Sequence, residues 1–126
     1  MLKLRSLFAI AACVLGVHAI GRAQEEGAAE RSFEIRFMDF CIAGAAPEMK
    51  ITLQSAQIVC RCLYDYADER TSPSVKEAIV ALPKNATVRD FDDVYASSAM
   101  PREVVDAITQ EYLRCAKTHG KRTDDR

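Results

Sequence analysis

The chain has no tryptophan and only two histidines, one of which, His18, lies in an N-terminal segment that reads as a removable leader. The other, His119, stands near the C-terminal end. One histidine is too few for a multi-histidine zinc site, and its place near a flexible end argues against a histidine-activated nucleophile. Glycine is equally sparse. Beyond residue 23 only Gly27, Gly44 and Gly120 remain, too few and too scattered for a glycine-rich phosphate loop. Without tryptophan no aromatic sugar platform is evident, so the carboxylates of Asp65, Asp68 and Glu69 and of Asp90, Asp92 and Asp93 read as solvated surface rather than a glycosidase pair. The second group also lacks the glycine and terminal glutamate of a calcium loop. Asn85-Ala86-Thr87 is a glycosylation acceptor only in a eukaryotic secretory pathway.

A long apolar run is missing too. The longest stretch, Leu7 to Ile20, covers 14 residues, short of the ~20 a helix needs to cross a bilayer. It follows Lys3 and Arg5 and precedes Gly21-Arg22-Ala23. A short positive region, an apolar stretch and small residues make up a secretory signal. Residues 1–23 are therefore expected to be cleaved off after Ala23, with Ala19 as the alternative site. Ile10-Ala11-Ala12-Cys13 offers the small residues and cysteine of a lipoprotein site, but the apolar run continues behind it, which disfavours a lipid anchor.

Excess positive charge is the next absence. Residues 1–23 carry Lys3, Arg5 and Arg22 and no acidic group, so 14 basic residues face 18 acidic ones in the remainder, a net charge of −4. No nucleic-acid partner is expected, because neutralising phosphates requires a concentrated basic surface. The remaining 103 residues suit one domain with one modest core. No cofactor or metal is implied.

What is present is helical periodicity and an even set of cysteines. Residues 24–31 read as a flexible leader, 32–120 as a single helical domain and 121–126 as a disordered tail. Phe33, Phe37, Phe40, Cys41 and Gly44 share one helical face, and Gly44 followed by Pro47 is expected to close that helix. A second helix opens at Thr52 as N-cap. Leu53, Ala56, Cys60, Leu63 and Ala67 form its apolar stripe. Ser74 and Glu77 have the spacing of a capping box for a short third helix that Pro83 stops. A further short helix is expected to carry Phe91, Val94 and Tyr95. The last runs from Pro101 to near Gly120, with Val104, Val105, Ile108 and Tyr112 inward. Lys117, His119 and Lys121 complement its dipole. The fold class is all-α, a small disulfide-stapled bundle of four to five helices with a central helix bearing Cys60 and Cys62.

Successive helical residues turn by ~100°, so positions 60 and 62 diverge by ~200° and cannot bond each other within that helix. Each must pair with a different neighbour. Either Cys41 joins Cys60 and Cys62 joins Cys115, or Cys41 joins Cys62 and Cys60 joins Cys115. Four cysteines beyond a secretory signal indicate two structural bridges. The expected function is accordingly that of an exported protein, periplasmic or secreted. It acts by protein binding rather than as an enzyme: an inhibitor or immunity protein, an envelope chaperone or a secreted effector, with a protein partner of unknown identity. The alternative is a soft-metal (copper) or thiol-redox protein using the Cys60/Cys62 pair, with Met49 or His119 as extra ligands. Diverging mid-helix thiols speak against it.

Overall fold

A computed structural model describes residues 30–124, so the expected signal segment and most of the 24–31 leader lie outside it. Ser32 opens one compact unit. Five helices occur among the described residues: α1 over 30–49, α2 Leu53–Arg70, α3 Pro73–Val80, α4 Val88–Ser97 and α5 Arg102–His119. There is no strand among them, only an isolated bridge between Ile51 and Arg122. The fold is the all-α, disulfide-stapled bundle expected, with α2 at its centre. Cys41 bonds Cys60 and ties α1 to one side of α2, and Cys62 bonds Cys115 and ties α5 to the other. With Ala46 beside Ile51 and Phe33 beside Tyr64, α1 runs antiparallel to α2, and with Lys121 beside Thr52 and Cys115 bonded to Cys62, so does α5. No helix among the described residues is long and apolar enough to cross a membrane.

Helix α1 follows the expected face, with Phe33, Phe37, Phe40, Cys41 and Ala45 buried. Its end does not. Gly44 does not close the helix, which runs on through Pro47 to residue 49. The reason is packing: a Cβ at Gly44 would lie 3.0 Å from Val88 Cγ1, so the glycine lets α4 approach α1 closely. Pro47 forfeits only a bond to the carbonyl of exposed Ala43, which water can satisfy. The chain turns instead at Lys50, whose φ of 55° is left-handed. The Ile51 amide then donates back to the Ala46 carbonyl at 3.3 Å and Ile51 is buried. This is a Schellman closure with lysine in the place glycine usually takes.

Thr52 caps α2 as expected, its Oγ1 accepting from the Ser55 amide at 3.1 Å. Ala56, Val59, Cys60, Leu63 and Ala67 form the buried stripe. Leu53 is 61% exposed, contrary to its place in the expected stripe. At that end of α2 it is Ser55 that turns inward, and its Oγ accepts from the Lys121 amide at 3.0 Å. The Thr52 amide donates to the Lys121 carbonyl and the Thr123 amide to the Lys50 carbonyl, both at 3.0 Å. Residues 121–123, expected in a disordered tail, are thus tied to the α1–α2 turn, because the positive-φ turn leaves backbone groups there that need partners.

The expected capping box of Ser74 and Glu77 is not formed. Helix α3 starts at Pro73, one residue after Ser72, and no side chain caps it; proline's fixed φ sets the first turn. A capping box stands instead at the head of α4. The Thr87 amide donates to Asp90 Oδ2 at 2.7 Å and the Asp90 amide to Thr87 Oγ1 at 3.3 Å. Helix α4 brings Phe91 and Tyr95 onto the aromatic face of α1. Phe91 meets Phe37 edge-on and stacks on Phe40, both with centroids 5.5 Å apart. The Tyr95 hydroxyl hydrogen-bonds Thr71 at 2.9 Å, and burial pushes its pKa up to about 12.

Candidate functional site

The cysteines give the first test of the site. Cys41 and Cys60 are sealed in the core, and Cys115 is fully buried while Cys62 is half-exposed. Each sulfur is covalently bonded, so none of the four offers a thiolate in this form. Cys62, Glu111 and Cys115 lie close enough together to be ligands of one ion. Here the two sulfurs are spent on each other, and the Arg114 guanidinium sits 3.6 Å from Cys62 Sγ and pairs with Glu111. The hydrogen bond from Arg114 holds the Glu111 carboxyl below its usual range. This corner is a cation-flanked disulfide. His119 is the exposed last residue of α5, and Met49 packs on the core.

A cavity of about 360 Å³ opens where α1, α4 and α5 meet. Helix α1 gives it Phe37, Phe40 and Gly44, α4 gives Val88, Phe91 and Tyr95, and α5 gives Val105, Ile108 and Tyr112. Leu63 of α2 also lines it. The local sequence explains the space. Glycine at position 44 and β-branched residues at 88, 105 and 108 keep short side chains opposite three phenylalanines, so the facing walls do not fill the gap.

The polar groups gather at the mouth. Glu48 extends the α1 face one turn beyond Gly44, and exposed Asp92 and Thr109 come from α4 and α5. Partial desolvation raises the Asp92 carboxyl above its ordinary value, and the neighbouring charges of Glu48 and Asp93 raise it further. Burial also raises Tyr112, with Glu48 and Asp92 adding to the effect. These three groups from three helices therefore feel one another. No lysine, arginine or histidine is among the described residues lining the cavity.

The acidic clusters read as solvated surface divide into distinct roles. Asp68 binds Lys76 at 2.7 Å, Asp90 caps α4, and Asp92 faces the cavity mouth. The cavity itself was missed by sequence reasoning. One signal lay in the α1 face, where Glu48 continues the spacing of Phe37, Cys41 and Gly44; ending the helix at Gly44 concealed it. Comparisons with family models, curated proteins and solved structures give no match, and the site is read from its geometry.

Proposed function

We propose that this is an exported protein that works by binding, and that its binding centre is the cavity between α1, α4 and α5, which receives an apolar side chain of a protein partner. The observation that carries the reading is an aromatic-walled recess of about 360 Å³ with a small set of convergent polar groups at its rim. That is the make-up of a ligand site, at the small end of the usual volume range and suited to one or two side chains. The two disulfides support the exported setting, since such bridges persist in oxidising compartments. An inhibitor, a chaperone and an effector are all forms of this reading. The copper or thiol-redox alternative loses support because Cys60 and Cys62 are both in bridges.

The test is photo-crosslinking in the native compartment, with benzoylphenylalanine placed at Thr109 on the cavity rim or at Glu77 on exposed α3. A discrete covalent adduct from position 109 and none from 77 is expected. Equal labelling from both positions, or from neither, removes the support for this reading.

A further inference from the structure

Several carboxylates of this protein have a cation beside them. Glu34 binds Arg61 at 2.8 Å, Asp68 binds Lys76 and Glu111 binds Arg114. Glu48 and Asp92 have no such partner among the described residues, although they stand together at the mouth of the aromatic-walled cavity. They come from different helices, α1 and α4, so neither the local sequence of one helix nor a cap explains their meeting. Asp90, by contrast, is fully occupied in capping α4. Two like charges beside a low-dielectric recess repel each other, and a positive charge between them relieves both.

We propose that the partner presents to this cavity an apolar side chain with a lysine or arginine directly beside it in sequence, the apolar group lodging between α1, α4 and α5 and the cation lying at Glu48 and Asp92. The inference rests on the reading of the cavity as the binding centre and adds the charge of what it takes. Specificity then has two parts. The aromatic walls select for an apolar body and reject nothing of similar shape, whereas the carboxylates reject an acidic neighbour.

The experiment uses the disulfide-bonded protein and three peptides, acetyl-Leu-Phe-Lys-amide and its glutamine and glutamate counterparts, titrated by amide chemical shifts. Binding should follow the order lysine, glutamine, glutamate. Lysine should exceed glutamine by about tenfold, the effect of two partly screened charge pairs, and the gap should narrow as salt is raised. In the Glu48→Gln, Asp92→Asn double variant the three affinities should converge to within about twofold. Both side chains are exposed, so folding is not at stake; a circular dichroism spectrum checks it. Gly44→Leu, whose side chain enters the recess, should weaken all three interactions. If all three peptides bind the unaltered protein equally, the charge assignment is overturned while the cavity stands as a binding site. If none causes a shift, the cavity reading falls and takes this inference with it.

Discussion

Replacing both Cys62 and Cys115 by alanine should cost this protein a large part of its stability, and the structure says how much and where. The bridge closes a segment of sequence separation 53, and the one between Cys41 and Cys60 a segment of 19. Loop-closure entropy assigns about 4 kcal/mol to the first and about 3 kcal/mol to the second. A domain of this size has about 5–15 kcal/mol in all. Packing modifies the ranking. Cys41 and Cys60 are both in the core, so truncating them also vacates space and adds about 1 kcal/mol per site. Half-exposed Cys62 leaves little to refill, but buried Cys115 adds about 1 kcal/mol in the same way. In guanidinium unfolding followed by far-UV circular dichroism, the Cys62→Ala, Cys115→Ala variant should lose about 5 kcal/mol, a fall in midpoint of about 1 M for a slope typical of this size. The loss should also be local. Only Ile108 and Cys115 of α5 are buried, so this helix depends on the staple more than α1 does, with its five buried positions. Amide exchange should rise in α5 while α1 and α2, still joined through Cys41 and Cys60, keep their protection. A loss below about 1 kcal/mol, or a rise in exchange spread evenly over all helices, would refute the staple account.

Lys50→Gly should raise stability by about 1 kcal/mol, seen as a higher melting temperature, because the left-handed φ at that turn carries a penalty for any residue with a Cβ; a lower melting temperature would mean that the lysine side chain contributes something the backbone reading omits. Thr87→Ala should cost about 1 kcal/mol through loss of the α4 capping box, measured by thermal unfolding. Tyr95 ionises at about 12 in the folded protein against 10.0 when free, so the folded state holds this proton more tightly. Its contribution is complete below pH 10 and lost as pH rises toward 12, about 1.4 kcal/mol being gone by pH 11; Tyr95→Phe should reduce the slope of the stability profile between pH 9 and 11 by that amount and leave the share of Tyr64, which burial likewise pushes up to about 12. Under limiting dithiothreitol followed by alkylation and mass analysis, Cys62 and Cys115 should be labelled before Cys41 and Cys60, since Cys62 is half-exposed and Arg114 stands beside the sulfurs to favour a thiolate.

Helical periodicity carried most of the architecture because it depends on short-range spacing. The divergence of Cys60 and Cys62 follows from the helix turn alone, and it required two separate partners before any partner could be chosen. Choosing between Cys41 with Cys60 and Cys41 with Cys62 needed the rotation of α2 about its axis. That rotation depends on how Phe33 and Phe37 pack on Tyr64, a contact across more than 25 residues. Caps were less legible. Ser74 and Glu77 have the right spacing, yet Pro73 sets the helix start and leaves them inside it, whereas Thr87 and Asp90 make the box actually used.

Gly44 is the residue on which the sequence reading and the site part company. A glycine followed three residues later by proline is a sound stop signal when the only consideration is backbone freedom. In the folded chain the glycine answers to Val88, 44 positions later in sequence, and nothing near it in the sequence announces that neighbour. Continuing the helix past Gly44 has two effects with one cause. It carries Glu48 to the α4 and α5 side of the bundle, and it keeps the α1 wall low enough there for a cavity to remain. The same absent side chain thus brings α4 in close and leaves the recess open beside it. Gly44→Leu would place its side chain against Val88 and into that space, so it should reduce cavity binding of an apolar peptide even where the helix itself gains propensity.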